Sequence, residues 1–88
     1  MFSIEFANQP NKFLKKLDRC ILERFILRLE RLKNDAVPSD AKFIGRENSE
    51  KVFRYRIGDY RVLYKLKEKD NVILITKIDK RERVFDRV

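Results

Sequence analysis

The sequence predicts an α+β fold in which an N-terminal strand and an αα-hairpin pack on one face of a mainly antiparallel sheet. Apolar residues recur at helical spacing between positions 13 and 32, and the period changes to two after Glu50. Two runs rich in Val, Tyr and Phe also flank a two-residue Gly58-Asp59 loop, which is the pattern of a β-hairpin. The predicted order of elements is therefore β-α-α-β-β-β.

The N-terminal half is predicted to hold one strand and two helices. Residues 2–6 alternate apolar and polar side chains, as a short half-buried strand does. Asn8 is a candidate cap for a first helix that has Pro10 in its first turn. Asp18 can cap a second helix, in which apolar residues at positions 21–32 follow the i, i+3, i+4, i+7 pattern.

The C-terminal half is predicted to form a three-stranded antiparallel meander. Residues 34–45 are rich in turn residues or lack a clear period, which is typical of a loop. The strands are predicted at residues 52–57, 60–67 and 72–78, and their short connections favour antiparallel neighbours. Because the last strand is apolar on both faces, we expect it in the interior of the sheet.

Length and composition indicate one domain over residues 1–88 and limit the possible chemistry. The chain has no histidine and a single cysteine, so it can form neither an intramolecular disulfide nor a Cys/His zinc site. We expect that cysteine, Cys20, to be buried in the second helix. No metal or cofactor is predicted. The absence of a long apolar run and of a leader-like start predicts a cytoplasmic protein with no membrane partner.

The charge of the chain indicates a polyanionic partner. The net charge is +8, and residues 51–88 contribute most of it with 12 Lys/Arg against 6 Asp/Glu. Alternation along the hairpin separates an aromatic face, which the helices should cover, from a cationic face. The alternative is a solvated sheet face whose arginines deter edge aggregation. The cationic residues expected together on the open face are Arg54, Arg56, Arg61 and Lys65.

The hairpin register places Arg56 opposite Arg61 if Gly58 and Asp59 form the loop. Like charges in that position destabilise a sheet, so an anion between them is expected, and phosphate is the most plausible one. A second basic cluster follows the last strand and could reach the same face, or could be an ordinary polar tail. Its members are Lys80, Arg81, Arg83 and Phe85.

The motifs leave few reaction classes open. The sequence shows no glycine-rich phosphate loop, no paired metal-binding carboxylates on one element, and no serine with a plausible base. What remains is catalysis by cations on a phosphodiester, where arginines stabilise the added negative charge of the transition state. RNA would supply its own nucleophile, the 2′-hydroxyl.

Four segments give the chain a resemblance to the RelE/ParE toxin superfamily, in particular to RelE-like messenger RNA interferases. They are FLKKLD, FRYRI, GDYRVLY and KRERV, at residues 13–18, 53–57, 58–64 and 80–84. The resemblance implies a toxin of a type II toxin-antitoxin system, bound by a RelB-like antitoxin. It also implies a metal-independent endoribonuclease that enters the ribosomal A site, cleaves the message there and so inhibits translation.

The resemblance also implies roles for single residues. Arg61 falls on the phosphate-binding arginine, and Arg81 on the arginine that protonates or stabilises the leaving group. Arg54 and Arg56 fall on positions that are lysines in the best-known members, and Phe85 on a position that is often tyrosine. Because arginine keeps its proton, a mostly electrostatic and positional mechanism is expected. The RNA-binding residues are expected to be Lys65, Lys80, Arg83 and Phe85.

Two alternatives remain open from the sequence. A ParE-like inhibitor of DNA gyrase would share the fold, but binding to gyrase requires no phosphate clamp. A noncatalytic RNA-binding module would place aromatic residues on its open sheet face, whereas Phe53, Tyr55, Tyr60 and Tyr64 are predicted on the covered face.

Overall fold

The computed structural model describes residues 1–80, which form a five-stranded sheet with two helices packed on one face. The order across the sheet is β1-β5-β4-β3-β2, with β1 parallel to β5 and all other neighbours antiparallel. The α+β class and the predicted arrangement of the helices are confirmed. The elements are β1 (Ser3–Phe6), α1 (Asn8–Lys15), α2 (Arg19–Asn34), β2 (Lys42–Glu47), β3 (Glu50–Ile57), β4 (Tyr60–Lys67) and β5 (Val72–Lys80).

Strand β2 lies in the region that the sequence predicted to be a loop, so that prediction is wrong. A bulge between Phe43 and Gly45 breaks the register of β2 with β3, and this removes the alternation by which a strand is recognised. The turn that joins β2 to β3 is formed by Asn48 and Ser49, both with positive φ, 54° and 71°. Two left-handed residues suit a tight hairpin, although glycine is the usual signal for one.

The helix starts agree with the sequence at α2 and differ at α1. The Asp18 carboxylate accepts a hydrogen bond from the backbone N–H of Ile21 at 3.1 Å, which confirms Asp18 as the cap. Helix α1 begins at Asn8 with Ala7 in the cap position, so Asn8 is not its cap. Cys20 lies in α2 but is exposed, contrary to expectation. Its position next to Ile21 turns it away from the stripe that packs on the sheet.

The hairpin between β3 and β4 has the predicted register. Arg56 is paired with Arg61, and Ile57 with Tyr60. Gly58 has a φ of 58°, which places the residue with most conformational freedom at the first position of the turn. The face predicted to be covered by the helices is indeed the core. Its buried members on these strands are Phe53, Tyr55, Ile57, Val62, Tyr64 and Leu66.

Strand β5 is an interior strand, as predicted, and a bulge determines which of its side chains face the core. Leu63 is paired with Lys77 and Tyr64 with Ile75, so Thr76 is the additional residue. After the bulge the alternation continues one residue out of step, and Ile78 is buried like Ile75. The bulge thus preserves the core without following a strict period of two.

Gln9 completes the sheet where β1 ends. Its side-chain amide donates to the carbonyl of Ile78 and its side-chain oxygen accepts from the N–H of Ile78, both at 2.9 Å. The backbone of β1 pairs with β5 only as far as Phe6 and Ile75. The amide group of Gln9 therefore satisfies backbone groups of β5 that β1 does not reach.

Tyr64 connects the core to the loop before β2, and it makes the stability of the protein depend on pH in the alkaline range. Its hydroxyl donates a 2.6 Å hydrogen bond to the carbonyl of Ala36, and burial raises the pKa of Tyr64 well above the ordinary value. The native state thus favours the neutral phenol. The stabilisation that the neutral Tyr64 phenol contributes is complete below about pH 10. It is lost as the pH rises above the pKa of the tyrosine in the unfolded chain.

Replacing Tyr64 with phenylalanine is therefore expected to remove part of this pH dependence. The substitution should cost about 1 kcal/mol at pH 8 through the lost hydrogen bond. Above about pH 10 the free energy of unfolding should fall more steeply in the wild-type protein than in the variant. Urea denaturation at a series of pH values measures both slopes, and parallel slopes would contradict the assignment.

Candidate phosphate-binding cleft

Basic side chains from four elements line a cleft of about 520 Å³. They come from α2, β2, β3 and β4, so the cleft depends on the tertiary fold and not on one segment. Its lining residues are Arg28, Asp40, Lys42, Arg54, Arg56, Gly58 and Arg61. Among residues 1–80, five cations and one carboxylate line the cleft, which makes it an anion-binding cavity.

The sheet explains why these cations meet. Lys42 is the cross-strand partner of Arg54, and Arg56 is the partner of Arg61, so both pairs lie on the face away from the helices. Strand β2 begins at Lys42, and β3 continues beyond it to Ile57. Within residues 1–80, no strand pairs with the outer edge of β3 beyond Arg54, and α2 can contribute a side chain to the same cleft.

That side chain is Arg28, which was not among the predicted site residues. Its Nε donates to the hydroxyl of Tyr55 at 3.2 Å, and its Nη2 donates to the carbonyl of Arg56 at 3.1 Å and to Oδ2 of Asp40 at 3.0 Å. The guanidinium carbon lies 5.0 Å from the centre of the Tyr55 ring. Arg28 follows Phe25 by three positions, so it lies at the edge of the buried stripe of α2. This spacing is the sequence signal that Arg28 is close to the sheet.

A smaller hollow of about 260 Å³ adjoins the cleft on the open sheet face. Arg54 and Arg61 line both cavities, whereas Ile44 and Leu63 give the smaller one an apolar floor. A phosphate bound by the arginines would therefore have room beside it for a ribose or a base. Lys77 and Asp79 complete the lining and form an ion pair at 3.5 Å.

Two residues predicted for RNA binding do not join the cluster. The amine of Lys65 contacts Glu47 at 3.2 Å and Glu50 at 4.0 Å, and its side chain is only 15% exposed. Its charge is thus compensated within the protein. Lys80 is the cross-strand partner of Tyr60 and lies 5.9 Å from that ring, on the helix side of the sheet. It is directed away from Arg61.

Three of the four predicted catalytic residues, Arg54, Arg56 and Arg61, share the cleft. The fourth, Arg81, lies outside the described residues, as do Arg83 and Phe85. Within residues 1–80 there is no group of three or more His, Cys, Asp or Glu that could hold a metal. In the same part of the chain, no helix is long and apolar enough to cross a membrane.

The cleft is chemically suited to a phosphodiester. Planar guanidinium groups bind phosphate oxygens in pairs and keep their charge at every physiological pH. Donors fixed before the reaction stabilise charge that develops on the phosphate oxygens in the transition state. The same groups cannot accept a proton, so any acid-base step must use another residue or the partner macromolecule.

Comparison with known proteins gives consistent results. The sequence matches the model of a family described as the ParE toxin of type II toxin-antitoxin system, parDE, over residues 4–85. It is 35% identical over 85 residues to a RelE1 protein of Methanocaldococcus jannaschii, covering 96% of this chain and 94% of that protein.

Solved structures share the fold. In the archaeal RelE-RelB complex from Pyrococcus horikoshii OT3, the matching chain is 30% identical with a TM-score of 0.83, covering 94% of this chain and 98% of that chain. The isolated RelE toxin of E. coli matches with a TM-score of 0.75 over 99% of this chain and 92% of its own. At 18% identity, that second match shows the fold alone.

Proposed function

Because this chain belongs to the ParE toxin family of type II toxin-antitoxin systems and is a RelE-like toxin, we propose that it is an endoribonuclease that cleaves messenger RNA on the ribosome. The observation that carries this proposal is the convergence of Arg54, Arg56 and Arg61 in one cleft. Like charges do not assemble on neighbouring strands without cost, and a bound phosphate offsets that cost.

The proposed reaction is an attack of the ribose 2′-hydroxyl on the adjacent phosphate. Arg61 binds the scissile phosphate, and Arg54 and Arg56 neutralise the charge that accumulates on its oxygens. Arg81 would act on the leaving group. Metal is not required by this scheme, since the guanidinium groups supply the positive charge. The ribosome would hold the message in line for attack, because orientation accounts for much of the rate when chemical catalysis is modest.

Two partners follow from the proposal. The first is a RelB-like antitoxin, supported by the likeness to the RelE chain of the Pyrococcus RelE-RelB complex. The second is the ribosome with messenger RNA in its A site, supported by the net charge of +8, because basic proteins are attracted to ribosomal RNA over long distances. The site of action would be the cytoplasm.

Inhibition of DNA gyrase is the second candidate function. The observation in its favour is that the matching family model is that of the ParE toxin. Binding to a protein surface does not require a cationic cleft, so this candidate does not explain why Arg54 and Arg61 lie together. A noncatalytic RNA-binding module is a weaker candidate, because Tyr55 and Tyr64 are buried beneath the helices and cannot stack on bases.

The test compares the candidates with one preparation of the protein. Purified protein is added to ribosomes carrying a defined message, and primer extension maps the cuts, while a supercoiling assay follows gyrase. We expect cuts in the message that require the ribosome, together with unchanged supercoiling. Inhibited supercoiling without cuts would favour the gyrase candidate, and binding to ribosomes without cuts would favour the noncatalytic module.

A further inference from the structure

Among the residues that the structure describes, one carboxylate lines the cleft, and the geometry points to it, Asp40, as the proton acceptor for the attacking 2′-hydroxyl. This inference rests on the proposed ribonuclease function and identifies a residue for a step that the arginines cannot perform. Asp40 is the acidic residue among the described residues that line the larger cleft. General base catalysis by a positioned side chain contributes about 10²- to 10⁴-fold to a rate.

Asp40 is held in place by Arg28. Oδ2 of Asp40 accepts a hydrogen bond from Nη2 of Arg28 at 3.0 Å, and the same nitrogen donates to the carbonyl of Arg56 at 3.1 Å. The carboxylate is thus fixed beside the backbone of a phosphate-binding residue. The loop is fixed as well, since the N–H of Ala41 donates to the carbonyl of Pro38 at 2.9 Å. A base held on such supports does not have to be reoriented at each turnover.

The carboxylate is also accessible. The Asp40 side chain is 56% exposed, whereas that of Arg28 is 28% exposed. Among the described residues, Arg28 is the one hydrogen-bond partner of the carboxylate, and it uses Oδ2. Oδ1 can therefore accept a proton from a substrate that enters the cleft from solvent. Arg28 is a positioning residue in this scheme.

The cleavage step transfers one proton to Asp40 and replaces one P–O bond with another. The 2′-hydroxyl transfers its proton to Asp40 while the 2′-oxygen forms a bond to phosphorus. The bond between phosphorus and the 5′-oxygen of the next nucleotide breaks, and that oxygen takes up a proton from water. The products are a 2′,3′-cyclic phosphate and a 5′-hydroxyl end. Asp40 then returns its proton to solvent, so no oxidant, reductant or metal takes part.

Among the described residues that line the two cavities, two other side chains could exchange protons. Lys42 lines the same cleft, and Asp79 lines the adjoining hollow. Asp79 is held by Lys77 and is the cross-strand partner of Arg61, on the side of that arginine away from Arg56. Asp40 is favoured because it is a carboxylate in the larger cleft, fixed through Arg28 to the backbone of Arg56.

The experiment separates proton transfer from binding with Asp40→Asn. The amide can still accept a hydrogen bond from Arg28 but cannot take a proton from a hydroxyl. Cleavage of a defined message on ribosomes gives the catalytic rate. Fluorescence anisotropy with a short 2′-O-methyl RNA, which cannot be cleaved, gives the affinity. Asp59→Asn is the matched control, since Asp59 is an exposed turn residue outside the cleft.

We expect Asp40→Asn to lower the cleavage rate about a hundredfold or more, while the affinity for the 2′-O-methyl RNA stays equal or rises. Removal of a negative charge from a cationic cleft should strengthen anion binding, which a merely structural role of Asp40 would not produce. Asp40→Glu should retain part of the rate, and Asp59→Asn should cleave like the wild type.

Each other outcome overturns the assignment in a recognisable way. If the Asp40→Asn variant cleaves at the wild-type rate, Asp40 is not the base, and the ribonuclease proposal stays intact. Loss of both cleavage and RNA affinity in Asp40→Asn refutes Asp40 as the base and indicates a structural role instead. Loss of cleavage in Lys42→Arg or Asp79→Asn, with normal Asp40→Asn, transfers the role to that residue. No cleavage by the wild-type protein refutes the ribonuclease proposal itself.

Discussion

Replacing Arg61 with alanine is expected to lower ribosome-dependent cleavage of messenger RNA about 10²- to 10³-fold and to relieve growth inhibition. The magnitude is that of removing one preorganised donor from a transition-state charge site. Arg61 has the largest predicted effect because it lines both cavities and is the cross-strand partner of Arg56. Single-turnover cleavage of a defined message measures the rate directly.

The control for Arg61→Ala must remove the same charge elsewhere. Arg46 is suited to this, since it is exposed on β2 and does not line the cleft. Arg46→Ala should cleave within about a factor of three of the wild type, because exposed charges contribute little. Arg61→Lys keeps the charge but loses the planar fork, and an intermediate rate is expected. Wild-type cleavage by a folded Arg61→Ala variant would be incompatible with the proposed phosphate site.

Replacing Phe25 with alanine is expected to lower the free energy of unfolding by about 3–5 kcal/mol. The ring of Phe25 is 0% exposed and packs edge-to-face on Tyr60 at 5.2 Å. The substitution removes this contact and leaves a cavity between α2 and the sheet. A domain of this size has roughly 4–13 kcal/mol of stability, so the loss is a large share of the total.

Leu27 on the same helix provides the comparison for Phe25. It is 69% exposed, and Leu27→Ala should change the free energy of unfolding by less than about 0.5 kcal/mol. Urea denaturation followed by far-ultraviolet circular dichroism gives both values. Phe25→Ala should also weaken toxicity, through a lower folded fraction and not through the cleft. Equal losses in the two variants would mean that the helix is packed differently from the structure described.

The parts of the fold that were predicted correctly are those set by local patterns. The apolar stripe of α2, the Asp18 cap and the Gly58-Asp59 turn each depend on residues close in sequence. Strand β2 was missed because its bulge at Phe43 and Gly45 disturbs the period. The parallel pairing of β1 with β5 was also beyond local reasoning, since it joins segments from opposite ends of the described chain.

The site residues that were predicted correctly are likewise those set by local patterns. Arg54, Arg56 and Arg61 could be grouped from strand alternation and a two-residue loop, which determine faces and register. The ion pairs of Lys65 could not be foreseen, because Glu47 belongs to the strand that was missed. Arg28 and Asp40 were overlooked for a related reason. Their meeting depends on where β2 begins and how the loop before it turns, which no periodicity encodes.

Gln9 and Ile78, which are joined by hydrogen bonds, are 69 positions apart in the sequence. This separation affects the order in which the elements of the fold form. Closing so long a loop costs much more chain entropy than closing the β3–β4 hairpin, whose turn is two residues. The meander of β3, β4 and β5 can therefore form early from local contacts, whereas β1 can dock only on a β5 that already exists. Interactions made late in folding act mainly on the unfolding rate, so Gln9 would set how long the native toxin persists more than how quickly it forms.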